Sequence, residues 1–289
     1  MKRRDFVQQT AVAGGAIVLA PDFFNATKAK HIGVQLYSVR DVIFKDTIGT
    51  LRSISMMGYK EVEGFGYQDG KFFNMSPGDF KIVLEDLGLT MPTAHCGVNL
   101  QSWDAEAGDL TAATKQAVAD AAWIGQKVFI CPYIDRAQRD EESIRRLCDI
   151  FNNIGALCKQ HGMVFGYHNH DFEYTPAGDK LIYDHLLTNT DSSLMKMQLD
   201  VYWAVYANQN PVEWFKKAPG RYISLHVKDM ENTPERRTTE IGTGVIDFTE
   251  IFKYSELAGV EYYVVELEDY KTTSLEGIEV CLRNLKKLL

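Results

Sequence analysis

Short apolar segments recur along most of this chain at near-regular intervals, and this spacing limits the fold more than any other feature. Eight segments rich in β-branched and aromatic residues start about 33 residues apart on average, the period of strand–helix units. They span residues 32–36, 60–63, 91–95, 127–131, 164–168, 195–199, 222–226 and 262–266. Helical patterns lie between them, and several end at a glycine that leads directly into the next segment, as at Gly58, Gly88 and Gly259. Strands that alternate with helices require a parallel sheet, so eight units predict a single-domain α/β chain with the (β/α)₈ TIM-barrel architecture.

Charge and cysteine usage exclude several classes of protein. A formal net charge of −8 gives no general attraction to phosphate backbones or anionic lipid, so we expect no nucleic-acid partner. The five cysteines are odd in number and contain no Cys-x-x-Cys pair, which argues against a disulfide framework and a zinc–thiolate site. We expect them to be buried as small apolar residues. No Gly-x-Gly-x-x-Gly follows the first strand, so a dinucleotide site is not expected either.

The first 29 residues have the pattern of an export signal. Two adjacent arginines, Arg3 and Arg4, precede the apolar run 11–20, which is too short to span a bilayer. The arginine pair with Phe6 resembles a bacterial twin-arginine signal, and an ordinary secretory signal or an anchor is the alternative. We therefore interpret residues 1–29 as a signal peptide that is removed and residues 30–289 as the barrel domain, and we expect a periplasmic or exported protein without stable membrane insertion.

Polar side chains with ligand chemistry end most of the predicted strands. In a parallel barrel, the carboxyl ends of the strands and the loops after them carry the functional residues. The residues at these positions are Gln35, Glu63, His95, Cys131, His168 with His170, Asp200, His226 and Glu266. Strands five to eight end in imidazole and carboxylate groups, which suit Mn²⁺, Fe²⁺, Co²⁺ or Zn²⁺. We predict one divalent metal ion held by His168, Asp200, His226 and Glu266.

Each of these residues also has an ordinary explanation when taken alone. A histidine at a strand end is more often a hydrogen-bonded packing residue than a ligand. Asp200 could cap a helix, and Glu266 could pair with a lysine. The metal prediction depends on their occurrence in order on four consecutive strands.

Four segments carry a resemblance to a known family. They are residues 166–173 (Gly-Tyr-His-Asn-His-Asp-Phe-Glu), 198–203 (Gln-Leu-Asp-Val-Tyr-Trp), 225–229 (Leu-His-Val-Lys-Asp) and 265–266 (Val-Glu). With them the chain, from residue 32 to its last helix, resembles the xylose isomerase-like TIM-barrel superfamily, which includes sugar-phosphate isomerases and epimerases, ketose 3-epimerases and inosose dehydratases. The resemblance implies one divalent metal at the barrel mouth, most often Mn²⁺, with Zn²⁺, Co²⁺, Fe²⁺ or Mg²⁺ as alternatives. By position, Asp200, His226 and Glu266 match the family's Asp, His and Glu ligands.

The chain departs from the epimerase pattern at two of these positions. His168 stands where the strand-five ligand is usually a glutamate, so an epimerisation that uses two symmetric glutamates is in doubt. Trp203 replaces a polar substrate contact after strand six, where an indole could stack on an apolar sugar face. His170 shares the strand parity of His168. We favour His168 as the ligand and His170 as the proton carrier, and the reverse assignment stays open.

The candidates for proton removal and substrate contact are chosen by their positions at the rim of the predicted barrel. Glu266, His170 and Glu63 are the candidates for removing a proton, and Glu63 could instead pair with Lys228 or Arg40. His95, Trp203 and Lys228 are the candidates for substrate contact; His95 could make a core hydrogen bond, and Lys228 could pair with Asp229. We expect the aromatic residues of the predicted loops to form a sugar platform: Tyr37, Phe65, Trp103, Tyr133 and Trp203.

These features predict a metal-dependent carbohydrate isomerase or epimerase that abstracts a proton next to a metal-bound carbonyl. The alternatives are a dehydratase or keto-glycoside lyase that uses the same enolate, and a sugar-binding barrel without turnover. An abasic-site endonuclease of the same superfamily needs a basic groove, which this acidic chain lacks. The partner is then a small carbohydrate, and the sequence does not decide the oligomeric state.

Overall fold

Eight parallel strands form a closed barrel in the computed structural model, which describes residues 30–289. The strands are β1 (His31–Gln35), β2 (Glu61–Gly64), β3 (Thr90–His95), β4 (Val128–Cys131), β5 (Val164–His168), β6 (Met195–Asp200), β7 (Tyr222–Val227) and β8 (Tyr262–Val265). Each strand pairs with its neighbours in sequence, and β1 closes the ring because Val34 pairs with Val62 of β2 on one side and with Val265 of β8 on the other. The predicted (β/α)₈ barrel is thereby confirmed. The predicted signal peptide lies outside the described residues and stays a prediction.

Helices surround the barrel and cover its outer face. The described residues form α1 (Thr47–Met57), α2 (Pro77–Asp86), α3 (Ala112–Ile124), α4 (Glu141–Gln160), α5 (Ile182–Asn189), α6 (Val201–Tyr206), α7 (Pro211–Lys217), α8 (Phe248–Phe252), α9 (Ser255–Ala258) and α10 (Ser274–Leu288). Loops add 3₁₀ turns at Leu36–Val39, Leu100–Ser102, Arg136–Gln138 and Phe172–Tyr174, and short antiparallel pairs at Trp103–Asp104 with Asp109–Leu110, Pro176–Ala177 with Lys180–Leu181, and Asp229–Met230 with Thr238–Thr239.

Helix α4 shows how the sequence specifies these outer elements. Asp140 caps its first turn, since the side-chain Oδ1 accepts a hydrogen bond from the backbone N–H of Ser143 at 3.0 Å. Apolar residues at spacings of three and four between positions 144 and 158 are buried against the barrel. Burial of each large apolar side chain contributes about 1.5–3 kcal/mol. The glycine stops are used as expected: Gly58 and Gly259 follow α1 and α9 with φ of 98° and 90°, a conformation that only glycine adopts without strain.

The barrel interior is apolar at one end and polar at the other. Val128, Ile130, Tyr262 and Val264 form a small buried cluster that is separate from the large core between barrel and helices. On β8, Tyr262 and Val264 alternate with outward residues and share a face with the following Glu266. The apolar cluster therefore fills the barrel beneath the polar strand ends.

The cysteines and the helices agree with the expectations from composition. All five cysteines are buried and unpaired, as predicted. Within residues 30–289, no helix combines the length and the apolar character needed to cross a lipid bilayer.

One buried carboxylate organises the long loop after β7. Asp229 is fully buried, and its Oδ1 accepts hydrogen bonds from the backbone N–H groups of Met230 (2.8 Å) and Ile246 (3.2 Å). Its Oδ2 accepts from those of Gly242 and Gly244, both at 2.9 Å. A Cβ on Gly244 would collide with the carbonyl oxygen of Met230 and with this carboxylate. The loop is therefore shaped around one side chain.

We expect Asp229→Ala to lower the free energy of unfolding by roughly 2–4 kcal/mol, because four backbone donors lose a shared acceptor. Urea unfolding followed by circular dichroism measures this loss. Asp191→Ala is the matched control, since that carboxylate is on the surface and accepts a backbone hydrogen bond from Ser193. Equal losses in the two variants would show that Asp229 does not organise the loop.

Candidate active site

A cavity of about 350 Å³ opens at the carboxyl ends of the barrel strands. Its lining consists of Tyr37, Phe65, Gly66, Tyr67, His95, Gly97, Pro132, Tyr133, His168, His170, Trp203, Lys228, Glu266 and Glu268. Four of the five aromatic residues expected at the rim belong to this set, and Trp103 packs against the core instead. The cavity thus combines aromatic walls with a floor of ionisable side chains.

Three of the four predicted metal ligands converge at this floor. Asp200, His226 and Glu266 are buried, and each offers a ligand atom within 4.8 Å of the other two. Nδ1 of His226 lies 2.8 Å from Oε2 of Glu266 and 3.9 Å from Oδ2 of Asp200. They come from the ends of β6, β7 and β8, so adjacent strands in the barrel bring together residues that lie far apart in sequence.

Asp200 caps a helix with one carboxylate oxygen and faces the cluster of ionisable side chains with the other. Its Oδ1 accepts a hydrogen bond from the backbone N–H of Trp203 at 2.9 Å, which caps α6. Its Oδ2 is buried and accepts no hydrogen bond from the described residues, although Nζ of Lys228 lies 3.3 Å away. Burial raises the pKa of Asp200, and the nearby positive charges of Lys228 and His226 offset this only in part. A buried carboxylate oxygen without a hydrogen bond is suited to binding a cation.

His168 lies beside this group with one ring nitrogen facing Asp200. Its Nε2 is 3.9 Å from Oδ2 of Asp200, and its Nδ1 is 3.1 Å from Oε1 of Gln198. An amide oxygen only accepts, so Nδ1 carries the proton and the lone pair of Nε2 points toward Asp200. Burial, followed by the neighbouring His226, holds the pKa of His168 well below its usual value. The imidazole is therefore neutral, as a metal ligand must be.

Glu63 lies beneath the cavity and does not line it. This carboxylate is fully buried. Its Oε1 lies 2.5 Å from Nε2 of His226 and 3.1 Å from Nε2 of His95. The side-chain amides of Gln35 and Gln198 donate to its two oxygens, each at 2.7 Å. Burial alone would raise the pKa of Glu63, but the two histidines outweigh it and hold the pKa well below 4.5. Its partners are histidines and glutamines, and neither Lys228 nor Arg40 pairs with it in the described structure.

Gln198 is a central residue that the sequence reasoning missed. Its Nε2 donates to Glu63 and to Oγ of Ser224 at 3.1 Å, which fixes the orientation of the amide. Its Oε1 then accepts from His168 and from Nε2 of His95 at 2.8 Å. One amide therefore sets the tautomers of two histidines. Its position on β6, two residues before Asp200 and on the same face, was the available signal.

His226 lies between two carboxylates. Burial disfavours its charged form, but Glu63 and Glu266 outweigh burial and raise the pKa to about 10. Because Nε2 points to Glu63, the Nδ1 edge is the one that faces Asp200 and Glu266. A cation at that edge would replace the Nδ1 proton and leave Nε2–H bound to Glu63, an arrangement that orients metal-bound histidines in many proteins.

Lys228 pairs with three carboxylates, and the alternative pairing with Asp229 is wrong. Its Nζ lies 2.7 Å from Oε2 of Glu266, 2.6 Å from Oε1 of Glu268 and 3.3 Å from Oδ2 of Asp200. Burial would lower the pKa of Lys228, but these carboxylates raise it well above its usual value. Asp229 is the next residue in the chain and points to the opposite side, so the two do not meet. Glu268, which sequence reasoning did not single out, has the same parity as Glu266.

His170 lines the cavity as a neutral imidazole. Burial, with the positive charge of Lys228 as the second cause, lowers the pKa of His170 to about 3. Its Nδ1 is buried and has no hydrogen-bond partner within residues 30–289, and its ring packs between those of Tyr133 and Trp203, with centroids at 5.4 and 5.5 Å. Glu173 holds the backbone, because its Oε2 accepts from the N–H of His170 at 2.7 Å. His170 is thus positioned to hydrogen-bond a molecule in the cavity.

The ligand set at the floor is chemically compatible with the divalent metal that the family resemblance implies. Two carboxylates and two imidazoles suit a first-row divalent ion, and thiolates are absent from the groups of potential ligands that the described residues form. This fit rests on Oδ2 of Asp200, which accepts no hydrogen bond from the described residues, and on the neutral imidazole of His168. The ammonium of Lys228 already neutralises part of the same negative charge, so a cation would share these carboxylates with it.

Comparison with known proteins agrees with the fold. A family described as xylose isomerase-like TIM barrel matches residues 51–287. An inosose dehydratase from Clostridium beijerinckii is 28% identical over 142 residues, which are 44% of this chain and 47% of that protein, and one from Geobacillus kaustophilus is 23% identical over 75% of this chain and 79% of that protein. The match thus spans about half the length of the first of these relatives. A structure described as a sugar phosphate isomerase/epimerase from Parabacteroides distasonis has a TM-score of 0.78 and 30% identity, and covers 89% of this chain and 98% of that one.

Proposed function

The chain belongs to the xylose isomerase-like TIM barrel family, and from this premise we propose that it is a divalent-metal-dependent carbohydrate isomerase or epimerase. The observation that carries the proposal is the convergence of Asp200, His226 and Glu266 beneath a cavity with aromatic walls, where Oδ2 of Asp200 accepts no hydrogen bond from the described residues. Asp200, His226 and Glu266 would hold the ion, with His168 as the fourth ligand. When bound, the metal supplies Lewis acidity toward a substrate carbonyl.

The chain's own residues supply the rest of the proposed reaction. The Nδ1 of His170, which has no partner among the described residues, accepts the proton beside the carbonyl and returns it to the neighbouring carbon, and epimerisation needs a second proton donor on the opposite face. The ammonium of Lys228 is held by carboxylates and positions Glu266, one of the ligands that would hold the ion. The aromatic walls exclude water, and the ring of Trp203 offers a face for stacking. Glu63 acts from beneath by orienting His226, a role that fits its burial better than proton abstraction does.

A dehydratase or lyase is the second candidate. His168 takes the place of the second glutamate, and His170 lines the cavity as a single proton carrier. In an elimination, His170 would take the proton beside the carbonyl and then deliver it to the leaving hydroxyl or alkoxide, so one group serves as base and as acid. The relatives named inosose dehydratases agree with this candidate but do not decide between the two.

Product analysis in D₂O tests the proposal and separates the candidates. Protein loaded with Mn²⁺ is incubated with free ketoses, inososes and 3-keto-glycosides, and mass spectrometry follows products and deuterium uptake. An isomer or epimer with one deuterium supports the first candidate, and loss of water or an alcohol supports the second. Binding without product and without exchange would leave a sugar-binding barrel and overturn both.

Matched glutamine variants of the two strand-five histidines separate ligand from proton carrier. We expect His168→Gln to weaken Mn²⁺ binding by about a hundredfold or more, because a ligand nitrogen is lost. We expect His170→Gln to keep the metal and to lower kcat by about 10²–10⁴, the range for a positioned acid or base. Metal titration by calorimetry and steady-state kinetics measure the two effects. The opposite result, with metal loss only in His170→Gln, would exchange the two roles.

We also propose that residues 1–29 direct export. The support is the pattern of the arginine pair before a short apolar run. Fused to a reporter in a bacterium with twin-arginine transport, these residues are expected to deliver it to the periplasm. Arg3→Lys with Arg4→Lys should retain it in the cytoplasm, whereas unchanged delivery would favour an ordinary secretory signal.

A further inference from the structure

The described side chains that line the cavity offer no positive charge that is free to bind an anion. Among them, Lys228 carries the one permanent positive charge, and its Nζ lies within 3.3 Å of a carboxylate oxygen of Asp200, Glu266 and Glu268. Two of the lining side chains, Glu266 and Glu268, are acidic, and the buried carboxylates of Asp200 and Glu63 lie beneath them. Even with a divalent cation bound, the formal charge of these four carboxylates exceeds that of the cation and Lys228 together, so a phosphate would add negative charge to a site that is already formally negative.

Two arginines close to the rim, Arg40 and Arg139, make their contacts outside the cavity. Arg40 donates to the backbone oxygens of Tyr37 (3.1 Å) and Glu268 (3.0 Å), and its guanidinium lies 4.6 Å from the centre of the Tyr37 ring. The guanidinium of Arg139 stacks at 3.2 Å from the ring centre of Phe172, and its Nε donates to a backbone oxygen at 3.0 Å, while its Nη2 is buried without a hydrogen-bond partner among the described residues. Neither arginine lines the cavity. Both support its aromatic walls from behind.

The position at which barrels of this type commonly bind phosphate is filled by the chain itself. Such sites form in the loops after strands seven and eight, where glycine N–H groups point at the anion. Here the N–H groups of Gly242 and Gly244 both donate to Oδ2 of Asp229 at 2.9 Å. The N–H groups of Met230 and Ile246 donate to the other oxygen, Oδ1 of Asp229. These four backbone donors in the loop after β7 are therefore bound to an internal carboxylate and are not available to a phosphate.

The free hydrogen-bonding capacity of the cavity suits hydroxyl groups. Nδ1 of His170 and Nε1 of Trp203 are buried and have no partner among the described residues. Both belong to side chains that line the cavity, beside the aromatic rings of Tyr37, Phe65 and Tyr133. A polyhydroxylated ring offers hydroxyl groups to such atoms and an apolar C–H face to such rings.

We propose that the substrate is an uncharged sugar or cyclitol and that phosphorylated sugars are excluded. This inference rests on the proposed function, since it names the substrate class of the same cavity. It predicts discrimination against phosphate at the level of binding, before any chemistry.

Matched pairs of free and phosphorylated compounds test the inference. Calorimetry with Mn²⁺-loaded protein compares D-fructose with its 6-phosphate, D-glucose with its 6-phosphate and myo-inositol with its 1-phosphate, and inorganic phosphate serves as a further probe. We expect at least one free compound to bind, each phosphate ester to bind about tenfold more weakly or worse because of charge repulsion, and inorganic phosphate not to compete. A phosphate ester that binds more tightly than its free partner would overturn the inference.

A charge-insertion variant tests the cause. Tyr133→Arg places a cation at the rim of the cavity, where Tyr133 is half-exposed. We expect it to reduce the difference in affinity between a free compound and its phosphate ester by about tenfold. Trp123→Arg is the matched control, because Trp123 is an exposed aromatic residue that does not line the cavity. An unchanged difference in affinity in Tyr133→Arg, or an equal change in Trp123→Arg, would overturn the electrostatic argument.

The outcomes also distinguish this inference from the proposed function. Turnover of a phosphate ester in preference to its free partner would overturn the inference alone. Selective binding of a free compound without turnover of any free sugar, inosose or keto-glycoside would overturn the proposed function alone. No binding by any compound of either kind would overturn both.

Discussion

Asp200→Asn is expected to abolish metal binding and activity while leaving the fold intact. Asparagine keeps an oxygen that accepts the hydrogen bond from the N–H of Trp203, so α6 stays capped. The free Oδ2, however, becomes an amide group that repels a cation. We expect kcat/KM to fall by about a thousandfold or more, which corresponds to about 4 kcal/mol of lost transition-state stabilisation.

Metal analysis after gel filtration and a thermal melt check this expectation. The variant should carry less than about a tenth of the Mn²⁺ of the wild-type protein, and its Tm should lie within about 2 °C, since about 1 kcal/mol shifts Tm by that much in a domain of this size. Asp140→Asn is the matched control, because Asp140 caps α4 with an equivalent hydrogen bond on the surface. Wild-type metal content in Asp200→Asn would remove the basis of the metal site.

The fold could be predicted because its signals are local. Each strand is an apolar run, and each of several helices ends at a glycine such as Gly58 or Gly259, so the order of elements is visible along the chain. Once eight units close into a ring, adjacent strands must bring Asp200, His226 and Glu266 together. Their convergence therefore follows from topology and needs no knowledge of individual contacts.

Contacts across the barrel could not be predicted in the same way. Glu63 on β2 meets His226 on β7, a pair 163 residues apart whose strands are not neighbours in the sheet. Strand parity shows that both side chains point inward, but the depth at which each ends depends on barrel stagger and on the packing of every layer. Gln198 was missed for this reason, since an uncharged amide at an inward position gives no sign of the four partners that it contacts.

One error was avoidable from the sequence. Lys228 and Asp229 are consecutive residues at the end of a strand, and consecutive side chains point to opposite faces. Their pairing was therefore unfavourable on geometry alone. The same rule indicates that Glu268, two residues after Glu266, faces the site, and the structure places it on Lys228.

Glu63→Gln is expected to destabilise the protein by roughly 3–5 kcal/mol, the loss typical of removing one partner from a buried charge pair. Glu63 accepts from His226, His95, Gln35 and Gln198, and a side-chain amide would turn an N–H₂ group toward some of these donors. Because His226 loses the group that orients it, we also expect Mn²⁺ affinity to fall by about 10–100-fold. Glu61→Gln on the same strand is the matched control, since Glu61 pairs with the half-exposed His31 at the other end of the barrel, and such pairs contribute about 0–1 kcal/mol.

The pH dependence of this loss identifies its electrostatic origin. The pKa of Glu63 is held well below its ordinary 4.5, so its stabilisation is present above that pH and is lost as the pH falls through the lowered pKa. The pKa of His226 is raised from 6.5 to about 10, so its stabilisation is complete below pH 6.5 and is lost as the pH rises toward 10. The Glu63–His226 pair therefore stabilises the protein most between about pH 4.5 and pH 6.5. In urea unfolding of the metal-free proteins, the difference between wild type and Glu63→Gln should be larger at about pH 6 than at about pH 9. A difference that grows with pH would show that packing, and not the charge of Glu63 on His226, is what the variant removes.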